Sequence, residues 1–268
     1  MRPDKRTMTS QTITVIALTV LSASLCFSGC SRKMENRYDN GQLKEKYAVK
    51  KDASGNFIKH GSYASWYENG KQKQQGNYKD GTQDGKHTFW YENGQKESEG
   101  AFNEDKQIGL WTEWYDNGQK KSEGTYADSM RTGIWSEWYD NGQKKSETEF
   151  RDKKRNGKSI SWYENGNKKN EGIFENNRQI GKWDVWYENG KKNLEGEFKD
   201  GKENGIVTYW HENGQKASEG EYKNGKQNGK HTTWYDNGQK KSEGEYKDGQ
   251  RVGEWLSWDL QGNPVQNN

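Results

Sequence analysis

Trp66, Trp90, Trp114, Trp138, Trp162, Trp186, Trp210, Trp234 and Trp258 stand 24 residues apart. What an indole offers is noncovalent: it stacks on a flat partner, holds a cation over its face, or packs an apolar edge. Groups that transfer protons or bind metals show no comparable order. His60, His87, His211 and His231 fall in separate repeats, with no cysteine or histidine partner at metal-ligand spacing. The Asp80-Gly81 and Asp248-Gly249 turns lack the further carboxylates of a calcium loop, and no glycine-rich phosphate loop precedes a helix. An enzyme built on a repeat breaks the period where its acid, base or nucleophile sits. The one interruption here is an insertion between Leu43 and His60. The expectation is a non-enzymatic chain with no catalytic residues, metal or cofactor, whose function lies in a repeated surface.

The elements that carry these rings follow from the residues between them. Each period tryptophan has a glycine five residues before it, from Gly61 to Gly253, and another four residues after it, from Gly70 to Gly262. In the copy starting at Gly109, the segment Trp111 to Tyr115 favours a strand and Asn117-Gly118 is a strong hairpin signal. A second strand runs through Lys120 to Tyr126, and a second turn reads Asp-Gly or Asn-Gly in several copies. The fold class expected is all-β, an elongated twisted antiparallel sheet of tandem 24-residue hairpins. Two strands per repeat give a rise of roughly 9 to 10 Å, so nine repeats span on the order of 85 Å. Composition agrees. Hydrophobic residues make up 27% and aromatics 13%, too little aliphatic material for a thick globular core but enough for ladders of rings on a thin sheet. The array is placed at residues 61–262, with a degenerate capping repeat carrying the insertion at 37–60 and a tail at 263–268.

Side-chain parity sorts the columns. An aromatic recurs twelve residues after each of the first eight period tryptophans, from Tyr78 to Tyr246, and two residues before it stands a glycine, Thr148 being the exception. If Asp116-Asn117-Gly118 is a three-residue loop with Gly118 left-handed, Trp114, Gly124 and Tyr126 share one face, which would be the buried one. If Asn117-Gly118 is a two-residue turn, the pairing slips and the tryptophans part from the aromatic-over-glycine column. Under the first register the opposite face carries Trp111, Trp135, Trp183 and Trp255 with Tyr115, Tyr139 and Tyr187, a candidate binding face. The alternative is that these rings cover their own cross-strand neighbours under lysine stems.

The N-terminal residues read as an address. Arg2, Lys5 and Arg6 precede an apolar run from Ile13 to Phe27, followed by Ser28-Gly29-Cys30. The run is shorter than the roughly 20 residues a membrane-spanning helix needs and fits a signal peptide over residues 1–29. Phe27-Ser28-Gly29-Cys30 resembles the lipobox of bacterial lipoproteins, which implies lipidation of Cys30 by acyl chains of the palmitate class, with residues 30–36 as a tether. Several such chains would make anchorage effectively permanent. Ser31 after the cysteine implies the outer rather than the inner membrane of the cell envelope. Cys26 would leave with the leader, so the mature chain has no disulfide framework. The whole chain carries +3, of which the leader supplies +2. Lysines and glutamates alternate in each repeat without forming a basic stripe, which excludes nucleic acid as the expected partner.

Glu243-Gly244-Glu245-Tyr246-Lys247-Asp248-Gly249 followed by Gly253 closely resembles the MORN repeat, and Trp114-Tyr115-Asp116-Asn117-Gly118-Gln119-Lys120-Lys121-Ser122-Glu123-Gly124 resembles its bacterial variant. The resemblance implies an interaction scaffold linked with membranes, and an antitoxin-type role, which for an exported chain means immunity to a toxin met at the envelope. Trp111, Trp135, Trp183 and Trp255 depart from it by standing where a second glycine is usual. Choline- and glucan-binding repeats share the Trp-Tyr and glycine-punctuated hairpins but have a shorter period and a less charged second strand. The expectation is therefore a membrane-anchored scaffold for a protein partner, with binding of cell-wall or other glycan by exposed aromatic rows as the alternative.

Overall fold

The computed structural model describes residues 32–265; the leader and Cys30 lie outside the described residues. Every regular element within them is a strand, and the strands form one antiparallel sheet of 21. In chain order they are β1 (Arg32–Arg37), β2 (Leu43–Lys51), β3 (Phe57–Trp66), β4 (Gln72–Lys79), β5 (Thr82–Gln83), β6 (Gly85–Trp90), β7 (Lys96–Asn103), β8 (Lys106–Trp114), β9 (Lys120–Ala127), β10 (Met130–Trp138) and β11 (Lys144–Arg151). They continue as β12 (Lys154–Trp162), β13 (Lys168–Glu175), β14 (Arg178–Trp186), β15 (Lys192–Lys199), β16 (Lys202–Trp210), β17 (Lys216–Lys223), β18 (Lys226–Trp234), β19 (Lys240–Lys247), β20 (Gln250–Trp258) and β21 (Pro264–Val265). Neighbours in sequence are neighbours in the sheet, except that β5 and β6 both pair with β4 as two halves of one interrupted strand. The all-β class of tandem hairpins is thus as expected. The tether is not: β1 begins at Arg32, so residues 32–36 belong to the sheet. The expected tail likewise contributes Pro264 and Val265 to a pairing with β20.

Each repeat contains two turns and two irregularities, and the irregularities decide which face each ring takes. At the first turn Gly118 has φ +86°. Its N–H donates to the Tyr115 carbonyl at 2.9 Å, and the Tyr115 N–H donates to the Gln119 carbonyl at 2.8 Å. That is the three-residue loop expected from Asp116-Asn117-Gly118, with glycine supplying the left-handed conformation. Beyond it, however, Trp114 pairs with Lys120 while Glu113 pairs with Ser122. Lys121 is an extra residue, and this bulge turns the period tryptophan to the face opposite Gly124 and Tyr126. The expected sharing of one face by Trp114, Gly124 and Tyr126 is therefore corrected: the loop is right and the bulge after it reverses the outcome. The second irregularity lies at the constant glycine before each tryptophan. Thr132 pairs with Thr125 and Ser136 with Glu123, so β10 spends two more residues than β9 around Gly133, whose φ is +66°.

One face is packed by rings set on glycines. Trp111 pairs across to Gly124, but its ring lies over Gly100 on the preceding strand, where an added Cβ would come within 2.2 Å of it. Trp135 lies over Gly124 and Trp183 over Gly172 at the same 2.2 Å, and His87 over Gly76, Val207 over Gly196, His231 over Gly220 and Trp255 over Gly244 repeat the arrangement. Each of these side chains sits eleven residues after its glycine. Where Thr148 replaces the glycine, the residue eleven on is the small Ser159, and their hydroxyls lie 2.9 Å apart. The rings also meet edge to face along the sheet, with centroids 5.1 Å apart for His87 and Phe102, 5.0 Å for Phe102 and Trp111 and 4.8 Å for Tyr126 and Trp135. Such contacts contribute about 0.5 to 1.5 kcal/mol each beyond area burial. The indole N–H groups of Trp111, Trp135 and Trp183 donate to the carbonyls of Ala101, Thr125 and Ile173, each at 3.1 Å. These carbonyls stand at the two-residue bulges, so the same side chains that fill the face supply hydrogen bonds where the ladder is interrupted.

Candidate functional site

The other face bears the period tryptophans, all half-buried, in a row crossed by lysines. Lys96 lies over Trp114, Lys120 over Trp138, Lys144 over Trp162 and Lys168 over Trp186, and Lys192, Lys216 and Lys240 lie over Trp210, Trp234 and Trp258. Ammonium-to-centroid distances run from 5.1 Å for Trp138 to 5.8 Å for Trp162 and Trp210. Each lysine comes from the strand following the preceding tryptophan, so it ties one repeat to the next. At a partly exposed site a cation over an indole is worth roughly 0.5 to 1 kcal/mol. The lysine stems cover the ring edges while the ammonium stays wet.

Three residues on, a glutamate binds each of these lysines: Lys96 to Glu99 and Lys120 to Glu123 at 2.9 and 2.8 Å, Lys168 to Glu171 at 2.6 Å, and Lys144 to Glu147 and Lys192 to Glu195 likewise. In four repeats a threonine two residues before the tryptophan adds a hydroxyl donor, as Thr88 to Glu99 at 3.1 Å and Thr232 to Glu243 at 3.2 Å. In four repeats a second lysine, four residues before the tryptophan, takes the other carboxylate oxygen: Lys86 on Glu99, Lys158 on Glu171, Lys182 on Glu195 and Lys230 on Glu243. All four doubly bound carboxyls are held below the ordinary glutamate range by their lysines. Lys96, with Lys86, holds Glu99 at about 2, and Lys192 with Lys182 and Lys240 with Lys230 do the same for Glu195 and Glu243. Toward the first repeats Gln72, Ala64 and Gln75 replace lysine, threonine and glutamate, and the face dips into an open groove of about 610 Å³ lined by Lys33, Lys46, Ala64, Gln75, Trp90 and Lys96.

The residues first expected on an exposed face sit elsewhere. Trp111, Trp135 and Trp183 are 3%, 2% and 3% exposed, because the bulge at Lys121 and its equivalents puts them on the packed side; Trp255, in the last full strand, is half-buried over Gly244. Tyr115, Tyr139 and Tyr187 are half-buried and donate their hydroxyls to the carbonyls of Trp138, Trp162 and Trp210 at 2.8, 2.8 and 2.6 Å. They lock each turn to the next, helped by Asn117 donating to the Asp140 carbonyl at 2.8 Å. The expected binding face is corrected accordingly: its tryptophans are packing and its tyrosines are inter-repeat ties. A sequence signal for this existed in the Thr148 and Ser159 pair, where loss of the glycine coincides with loss of the ring eleven residues later. Among the described residues no three His, Cys, Asp or Glu side chains gather so as to hold a metal ion.

Comparison with known proteins bears on the repeat. Among solved structures, similarity is found to the crystal structures of TcdB2-TccC3-Cdc42 and of TcdB2-TccC3, each at 9% identity and a TM-score of 0.22. They cover 84% and 88% of this chain, which spans only 14% and 16% of theirs. No curated protein matches. The MORN repeat variant family matches residues 59–80, 83–104, 107–128, 131–152, 155–176, 203–224 and 227–248. The unmatched segment around Arg178–Lys199 builds the same hairpin and carries the same tryptophan and lysine columns. With seven matched copies covering more than half of it, the chain belongs to the MORN repeat variant family.

Proposed function

We propose that this chain is a non-enzymatic interaction scaffold, held at the cell envelope by lipid on Cys30, whose tryptophan and lysine face docks a protein partner. The observation that carries this reading is the division of labour between the faces. The packed face spends its rings on its own glycines. The other presents half-buried indoles, ammonium groups and carboxylates at a spacing of roughly 9 to 10 Å set by two strands per repeat. Aromatic rings beside charged groups are the composition from which interface anchors are drawn. The indole faces are taken by lysines, which favours a partner read by edges and charges over a stacked sugar ring. A toxin met at the envelope is one partner such a surface suits.

Photocrosslinking tests the docking face. A benzophenone side chain at Thr125 or Ser136 on the tryptophan face should capture protein in cells, and one at Glu113 or Gln107 on the packed face should not. Crosslinks from both faces alike, or from neither, would contradict it. The anchor has a separate test: Cys30→Ala should move the protein from the membrane to the soluble fraction, and unchanged membrane association would remove the lipid from the proposal.

A further inference from the structure

Two adjacent repeats on the tryptophan face break the charge pattern in the same way. The position that supplies the second lysine elsewhere is Leu110, Ile134 and Ile206 in three copies, and these side chains are 62%, 61% and 64% exposed. The glutamates they would have served, Glu123, Glu147 and Glu219, keep only their first lysine, which binds Oε2. Among the described residues no cation pairs with the Oε1 of any of the three, whereas Oε1 carries a lysine in Glu99, Glu171, Glu195 and Glu243. Leu110 and Ile134 hold the same position on successive repeats: Leu110 pairs with Thr125, which pairs on its other side with Thr132, two residues before Ile134 in the bulge of β10. Ile206 stands alone, between repeats bearing Lys182 and Lys230.

We propose that Leu110, Ile134, Glu123 and Glu147 form a docking patch for a basic, apolar-punctuated polypeptide segment, whose cations complete the two carboxylates while its apolar side chains cover the leucine and isoleucine. The proposal rests on the reading that this face docks a protein and names the chemistry of the partner. Charge complementarity fixes the choice: the patch pairs apolar surface with the two half-served carboxylates of Glu123 and Glu147, while Glu149, opposite Ile134, is already held by Arg151 at 3.5 Å. Spacing narrows it. The two carboxylates are separated by two strands, about 9.6 Å, and a polyproline-II segment presents every third residue on one side at about 9.3 Å. A segment with lysine or arginine at every third position therefore meets both.

The probe is a fluorescein-labelled peptide repeating Lys-Leu-Pro, with Glu-Leu-Pro as control, titrated with the full chain by anisotropy at low salt. The basic peptide should bind and the acidic one should not. Leu110→Lys with Ile134→Lys installs the lysine pairs already present in four other repeats, so the sheet keeps its melting temperature while peptide affinity falls about tenfold or more. Glu123→Gln with Glu147→Gln should also weaken binding and flatten its salt dependence. No binding by the basic peptide, equal binding of the acidic one, or unchanged affinity in the lysine variant would overturn the patch. Failure here is distinguishable from failure of the docking face. Crosslinks confined to the tryptophan face alongside an unaffected lysine variant sink the patch alone. Absent crosslinks with the expected peptide loss sink the wider reading and keep the patch.

Discussion

A glycine and the side chain eleven residues later are one structural unit, and that coupling is measurable. Gly124→Thr would drive a Cβ into the Trp135 ring, from 2.2 Å, and should destabilise by roughly 1 to 3 kcal/mol through overpacking. In a Trp135→Ser background the same change rebuilds the Thr148 and Ser159 arrangement. Its cost should then vanish or reverse, a coupling of about 1 kcal/mol or more in a double-mutant cycle. Additive costs would show that the ring is not seated on the glycine. Histidine in the ring position adds a pH dependence. His87 is fully buried, and burial pushes its pKa, like that of His231, below the ordinary value. For His87 the Asn77 carbonyl, Asp105 and Asp84 oppose the shift, and for His231 Arg251 reinforces it. As pH falls through about 6.5, the unfolded chain takes up protons that the folded one resists, so stability drops toward pH 5. The lysine-bound glutamates, held near 2 in the folded state, contribute stability that stays constant until pH nears the unfolded value of about 4.5. The slope between pH 7 and 5 should therefore flatten in His87→Val with His231→Val, since Val207 already fills the equivalent place over Gly196; an unchanged slope of melting temperature against pH would assign it elsewhere.

Within each hairpin the two turns differ in how well their residues suit them. The first uses glycine at its left-handed position in every copy. The second is a two-residue turn with both central residues at positive φ, and in four copies its second residue is not glycine: Asp105, Ser129, Lys153 and Asn177. Asp105, Ser129 and Asn177 each accept a strand N–H of the preceding repeat, at 2.7, 2.9 and 2.8 Å. Lys153, at φ +67°, makes no such bond, so its left-handed backbone is uncompensated. Lys153→Gly should stabilise the sheet by about 0.5 to 1 kcal/mol, the left-handed penalty less glycine's entropy, and Ser129→Gly should gain nothing; equal effects in urea unfolding would contradict the assignment. The sequence made the hairpins, both turns and the period legible, because Asn-Gly, Asp-Gly and alternating side chains are local signals. The face of each ring was not. A bulge of one residue at Lys121 carries no composition signal of its own, since lysine fits a bulge and a strand alike, and it reverses the parity of everything before it. Trp111 and Trp114 therefore exchange roles although the three-residue loop between them and Gly124 is the one its residues specify. The long-range cue is the pairing of Thr148 with Ser159, eleven residues apart, whose hydroxyls meet at 2.9 Å.

Across the whole sheet, stability comes from contacts between neighbours in sequence: rings on glycines, tyrosine hydroxyls on the next tryptophan carbonyl, lysines over the next indole. An array of this kind presents every repeat's outer face at once, so its specificity must come from repeats that differ, and on the tryptophan face Leu110 and Ile134 are where two adjacent repeats differ together. All of this depends on which tryptophans face outward. Brief hydroxyl-radical oxidation of the folded protein, read for each tryptophan by mass spectrometry, measures that directly. Trp90, Trp114, Trp138, Trp162, Trp186, Trp210 and Trp234 should oxidise several-fold faster than Trp111, Trp135 and Trp183. Faster oxidation of Trp111, Trp135 and Trp183, or no difference between the two sets, would mean that the faces are assigned the wrong way round.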